Sequence, residues 1–305
     1  MAEAFECDFP ASSANLGPAF DAAALAISLR LRVRAQPAPE WSITASGRDA
    51  AVCARPEQHL MVEVYRQVAA QAGRKAAPLQ LRLHNEIPIG RGFGSSAAAR
   101  LAGVAMASRF CGLRWDAQKV FETAAELEGH VDNVAACWWG GLVLTLPQGK
   151  SGIRWCRVPC QRAWTLLLVI PREPLATEAA RAVLPQNYSR GDAVANLQAA
   201  LLLMHALEHG RGDLLPAALA DRFHQPYRAP LCPLLEMVQA LVGSLGIGGC
   251  ALSGAGPGVL IFANSPGDAA IAKLAVQASL ARSGLNAEVE MVGIEPFGPG
   301  ATWQS

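Results

Sequence analysis

The chain has 305 residues, of which 51% are apolar and 17% charged, with a net charge of +1 at neutral pH. That length exceeds a usual single core and predicts two domains, and the near-zero charge gives no electrostatic case for nucleic acid or an anionic membrane as partner. No apolar run reaches the roughly 20 residues of a membrane helix, no basic-then-apolar leader is visible, and the eight cysteines lack paired spacing, so a cytoplasmic protein with reduced thiols is expected.

In chain order, "ALAISLRLRV" alternates Leu25, Ile27, Leu29, Leu31 and Val33, the period of a half-buried strand. "EQHLMVEVYRQVAAQAG" then switches to helical spacing, with Leu60, Val64 and Val68 on one face and Gly73 at a C-cap. "LQLRLHNEIP" returns to strand alternation and leads into "PIGRGFGSSAAARLAG", Pro88 to Gly103. There Ser95 or Ser96 suits an N-cap, and Leu101, Val104 and Ala105 share a helical face. A second helix follows Asp116 through Val120, Ala124 and Leu127, and "GGLVLTLP", "GIRWCRVP" and "WTLLLVIP" read as successive strands. Beyond the loop "PQNYSR" a long helix presents Val194, Leu197, Leu201 and Met204 as its apolar stripe. "GGCALSGAGPGVLIFA" is a glycine loop between two short strands, and a helix and the strand "AEVEMVGI" close the chain. Mixed helices and adjacent strands predict an α+β fold, divided near Trp164 into residues 1–164 and 165–305.

Four stretches carry candidate chemistry. Gly90, Gly92 and Gly94 followed by Ser95 and Ser96 fit an anion cradle at a helix N-terminus, and fit equally a turn into a buried helix. The stretch lacks the Lys-Ser/Thr ending of a Walker A loop and the spacing of a dinucleotide fingerprint. "FPASSANLGPAFDAAALAI" gathers Ser12, Ser13, Asn15 and Asp21 in a loop that suits turn-making or a small polar ligand. "ELEGHVDNVAACWWGG" crowds Glu126, Glu128, His130, Asp132 and Asn133 around Gly129, and Glu122 one turn before Glu126 offers a metal-ligating carboxylate or only a solvated face. Around "DRFHQPYRAP", Arg228 with His224, and Arg181 and Arg190 further back, are carboxylate-binding candidates or ordinary structural arginines.

Three segments in this order, "PASSANLGPAFD", "PIGRGFGSSAAA" and "CALSGAGPGVLIF", resemble the GHMP kinases. "SSANLGPAFD", "EGHVDNVA", "TEAARAVLPQNYSRGDAVANL" and "DRFHQPYRAP" are most similar to the homoserine kinases within that family. The resemblance spans nearly the whole chain, with Ala19, Phe93 and Val131 standing where the family more often has Gly, Leu and Pro. It implies a two-domain fold with a ribosomal-protein-like N-terminal domain and a ferredoxin-like C-terminal domain, and transfer of the ATP γ-phosphoryl group to the hydroxyl of L-homoserine, a step of threonine biosynthesis. It further implies ATP phosphates on Pro88, Ile89, Gly90, Arg91, Gly92, Phe93, Gly94, Ser95 and Ser96, and Mg²⁺ on Ser96 and Glu122. Asn15, Asp21, His130, Asn133, Arg181 and Arg228 would surround the substrate, with Asp21, Asn133 and Arg181 closest to the chemistry. Another small alcohol, or a nucleotide-binding sensor without catalysis, are the rival readings. Relatives are often dimers, which makes a homodimer the assembly to test.

Overall fold

The alternation from Leu25 to Val33 becomes the central strand of a six-stranded sheet in the computed structural model, which describes residues 4–55 and 59–304. The first half of the chain runs β1 (Phe5–Ala14), β2 (Ala23–Pro37), β3 (Ser42–Gly47), α1 (Ala50–Cys53), α2 (Leu60–Gln71), β4 (Leu79–Asn85), α3 (Ser95–Phe110), α4 (Ala117–Glu128), α5 (Val131–Trp139), β5 (Leu142–Pro147) and β6 (Ile153–Val158). Sheet order is β3-β4-β2-β5-β6, with β1 also paired to β2. Ser12 and Ser13 lie within β1, not in the loop expected for them, because β1 shifts register after Pro10 and continues pairing to Ala14.

The second half runs β7 (Thr165–Pro171), α6 (Thr177–Ala182), α7 (Arg190–His209), α8 (Leu215–Ala218), α9 (Gln225–Arg228), α10 (Pro233–Gln239), β8 (Ile247–Leu252), β9 (Val259–Ala263), α11 (Pro266–Ser283) and β10 (Ala287–Gly293). Its four strands form an antiparallel sheet in the order β10-β7-β9-β8. Leu166 and Leu168 on β7 join the core of the first half, whereas Leu167 and Val169 join the one shared with α10 and α11. Both faces are therefore buried, which is why "LLLVI" is continuously apolar.

Two helices differ from their sequence reading. α3 is buried nearly all round between α2, α4 and β1, so its small residues set close approach and not one apolar face. A Cβ on Gly103 would sit 2.7 Å from the Met61 carbonyl oxygen. On α7 the expected stripe faces outward: Val194, Leu197 and Leu201 are 47%, 59% and 64% exposed. The buried side is Asn196, Ala199, Leu203, Ala206 and Leu207. Asn196 anchors it, its Nδ2 donating to the Pro18 carbonyl at 2.8 Å and its Oδ1 accepting from Arg222 N at 3.0 Å. Among the described residues no helix is long and apolar enough to cross a membrane, and all eight cysteines are free.

Candidate active site

Beyond β4 the chain turns on Asn85, whose side chain bonds to the carbonyl and N–H of Ile87 at 2.9 and 3.1 Å. Gly90, Gly92 and Gly94 then take φ of +71°, +85° and +73°, while Arg91 and Phe93 between them stay out of the left-handed region. That alternation turns successive N–H groups toward one concave side, an anion nest. The carbonyls turn away and are each held: Gly90 by Leu175 N (3.1 Å), Arg91 by Gly258 N (3.2 Å), Gly92 by Ser253 Oγ (2.7 Å) and Phe93 by Ser12 N (3.1 Å). Glycine is required at the second position, because a Cβ on Gly92 would lie 2.2 Å from the Ser253 carbonyl oxygen. Gly94, not a serine, is the N-cap of α3, which leaves both serine hydroxyls free of capping and adds the helix's positive end to the nest.

Not every residue of this loop faces a ligand. Pro88 and Phe93 are buried beneath it. The Arg91 guanidinium is spent on carbonyls, Nε to Pro171 at 2.9 Å, Nη2 to Arg172 at 2.6 Å and Nη1 to Ile89. The side chains of these three build the loop, which leaves their part in any phosphate contact to the backbone, and Ile89 lines a neighbouring pocket.

The metal-ligand expectation also changes. Ser96 Oγ donates to Glu128 Oε2 at 2.9 Å, whereas Glu122 accepts from Gln118 at 2.8 Å and does not line the cleft. Glu122 lies six residues up α4, about 9 Å along its axis and roughly 120° around it from Glu128. Glu128 is at the last turn, where α4 ends at Gly129 with φ +75° and meets the start of α3. Burial pushes its carboxyl upward, against the lowering pull of Arg100 and Ser96. A hydroxyl and one carboxylate beside a phosphate nest suit Mg²⁺, which usually takes few protein ligands and completes its shell with phosphates and water. No cluster of three or more His, Cys, Asp or Glu able to hold a metal occurs among the described residues.

A cleft of about 110 Å³ joins the nest to the second half of the chain. Of the residues expected there, Asn15, Asp21, His130, Asn133, Arg181 and Arg228 all line it. Asp21, at φ +53°, accepts from Arg181 Nη2 at 2.8 Å. Arg181 Nε is buried without a partner, a donor available to an anionic ligand. Arg228 is 1% exposed, with Nε on the Ala180 carbonyl (2.9 Å) and Nη1 on His224 Nδ1 (3.0 Å). His224 donates from Nε2 to the Gly17 carbonyl at 2.9 Å, so it accepts from Arg228 as a neutral ring. Burial lowers its pKa to about 4. Phe20, which sequence reasoning missed, lies 5.6 and 5.5 Å from the Arg181 and Arg228 guanidinium carbons. Its ring face stabilises two like charges side by side.

The remaining polar groups divide by what already occupies them. Asn15 Nδ2 donates to the Gly254 carbonyl and its Oδ1 accepts from Asp21 N, at 2.8 and 2.9 Å, so its amide shapes the loop. Asn133 Oδ1 accepts from the buried Ser12 hydroxyl at 2.8 Å. Burial, and then the Arg181 charge, lower the His130 pKa. Asp132 is buried in the first turn of α5, and burial followed by repulsion from Asp21 raises its pKa to about 7. Ala19 is buried outside the left-handed region, so the missing glycine there causes no backbone strain.

On the other side of the loop an apolar pocket of about 340 Å³ shares Gly90, Ser95 and Ser96 with the cleft. Leu31, Val52, Leu60, Met61, Leu83 and Ile89 line it. It is assembled from several separate segments, and no sequence motif marked it.

The family model for the GHMP kinases N terminal domain matches residues 59–141, and that for the GHMP kinases C terminal region matches residues 203–282. The homoserine kinase of Solibacter usitatus is 45% identical over 258 residues, 85% of this chain and 84% of that protein. The homoserine kinase of Deinococcus radiodurans is 37% identical over 97% of this chain and 96% of its own. The crystal structure of homoserine kinase from Cytophaga hutchinsonii shares the fold at a TM-score of 0.82 and 22% identity, covering 98% of this chain and 97% of that one. The nest, the arginine-lined cleft and these likenesses agree on one conclusion: the chain belongs to the GHMP kinase family, in its homoserine kinase branch.

Proposed function

We propose that this chain transfers the γ-phosphoryl group of ATP to the side-chain hydroxyl of L-homoserine. One observation carries the residue-level reading: a phosphate nest opens onto a cleft with two guanidinium groups on one wall and carboxylates beside them. A zwitterionic amino acid needs that pairing, and a plain alcohol or carboxylic acid does not. Arg181, with its unpartnered Nε, and Arg228 would take the substrate carboxylate. Asp21, Asp132 and the free end of Asn133 would receive the ammonium and the hydroxyl. The adenosine would enter the apolar pocket, with its phosphates reaching through Gly90 to Ser96.

Phosphoryl transfer has a loose transition state, so alignment and charge neutralisation outweigh proton abstraction. Mg²⁺, held by Ser96 and Glu128, would supply neutralising charge when bound with the nucleotide. Asp21 is held in place by Arg181, which suits it to orient the hydroxyl. A second reading puts a general base at Asp132, which lines the cleft and whose pKa burial raises to about 7, near the operating range of such a base. Replacing Asp132 by Asn separates the two, since loss of a general base removes a pH-dependent limb from kcat and loss of a positioning contact does not. Coupled ADP release with L-homoserine, mevalonate and small sugars tests the substrate. Turnover with L-homoserine alone is expected, and nucleotide binding without turnover on any alcohol would favour a sensor.

The chain would pair with a second copy through the outward stripe of α7. Val194, Leu197 and Leu201 are exposed and follow the 3-4 spacing of a helix-pair seam. An antiparallel pair whose two-fold axis passes level with residue 199 would set Leu197 against the partner's Leu201. It would also set Arg190 opposite the partner's Glu208, a complementary charge pair at each end.

A further inference from the structure

The Ser96–Glu128 pair has a third member that the proposed reaction does not use. Arg100 lies one turn after Ser96 on α3, and its Nη1 donates both to the Ser96 hydroxyl and to Glu128 Oε2. The Ser96 hydroxyl also donates to that same Oε2, so two donors converge on one oxygen and the three groups close a triangle. The Arg100 and Glu128 side chains are only 23% and 12% exposed, and an ion pair so placed is poorly screened by solvent. A guanidinium keeps its charge at every pH a protein tolerates. It therefore puts a permanent positive charge where an ion bridging the hydroxyl and the carboxylate would put its own.

We propose that Arg100 is a built-in competitor for the divalent-cation position. In the nucleotide-free enzyme it holds Ser96 and Glu128 together and lowers their affinity for free Mg²⁺. The metal then enters with the nucleotide, whose phosphates add the negative charge that outweighs Arg100. This inference rests on reading Ser96 and Glu128 as the metal-holding pair.

The probe is Mn²⁺ alone, titrated into nucleotide-free protein and followed by the EPR signal of the free ion. Arg100→Met removes the charge, and Arg100→Gln leaves a neutral donor to Glu128. Both should bind Mn²⁺ more tightly than the parent by about tenfold, equivalent to about 1.4 kcal/mol. Arg100→Lys keeps a charge and should bind like the parent. In thermal melts Arg100→Met should lose stability that Mn²⁺ restores. Met and Gln variants that bind Mn²⁺ no more tightly than the parent would overturn the assignment. Glu128→Gln with ADP present separates the two layers. If it retains Mn²⁺ as well as the parent does, the metal-pair reading is wrong and the inference goes with it. If it loses Mn²⁺ while the Arg100 variants behave as the parent, only the role of Arg100 is wrong.

Discussion

Which glutamate serves the metal is a question that two neutral amides can answer. Glu128→Gln removes the carboxylate that accepts from Ser96, and Glu122→Gln removes one bonded to Gln118. The two positions differ by six residues of α4, about 9 Å of rise, too far for one ion to touch both. The metal ion that such a carboxylate would hold contributes several kcal/mol of charge stabilisation at a transferring phosphoryl group, and losing the ligand forfeits that contribution. Even if water and phosphate oxygens recover half of it, Glu128→Gln should lower kcat/KM by about a hundredfold, near 2.7 kcal/mol. Glu122→Gln exchanges one hydrogen-bond acceptor for another away from the cleft and should stay within about twofold, under 0.5 kcal/mol. The assay is coupled ADP release with L-homoserine, repeated across Mg²⁺ concentrations, because a weakened metal site is partly rescued by excess ion. Equal losses in the two variants, or a larger loss at Glu122, would refute the geometric reasoning.

Four further outcomes follow from the same geometry. Asp21→Asn should cost kcat less than about tenfold, well short of the 10²–10⁴ of a general base, and a loss matching Glu128→Gln would return Asp21 to that role. Gly92→Ala puts a Cβ 2.2 Å from the Ser253 carbonyl oxygen at φ +85°, adding clash to about 1–2 kcal/mol of backbone strain. Its KM for ATP should rise and its Tm fall, and an unchanged KM would detach the nest from the nucleotide. With its pKa raised from 3.8 to about 7, Asp132 keeps its proton in the folded chain after the unfolded chain has released it. Its contribution is full below about pH 4 and lost as pH rises through 7, so the Tm advantage of Asp132→Asn should grow across that window and vanish at its acidic end. Leu201→Glu should convert a dimer to a monomer by light scattering, and a parent already monomeric at high concentration would remove the α7 pairing.

What the sequence discloses depends on how local the cause is. Alternating glycines report backbone sign within a five-residue stretch, and the structure puts all three at positive φ. Asp116 likewise caps α4 as read, accepting from Lys119 N at 2.8 Å. The choice between Glu122 and Glu128 is not local, because it turns on where α4 ends against the start of α3. Hydrophobic periodicity also misplaced the inner face of α7, since alanines and a hydrogen-bonded Asn196 bury as well as leucines do. Arg91 carries a phosphate-binding side chain by type, yet carbonyls some 80 residues away take its donors. The apolar pocket has no motif because no single segment contains it.

The ties on the loop carbonyls also bear on how the protein comes into being. Residues 90–94 obtain their shape from partners at 12, 175, 253 and 258, spread across most of the chain. On the ribosome the first half can acquire its sheet long before the last of these partners emerges. The loop is then synthesised but unshaped. Competence to grip a nucleotide should therefore arise late and abruptly, when β8 and β9 close their hairpin against it. An amino-terminal fragment ending before that hairpin would fold part of the core and still lack a nucleotide site.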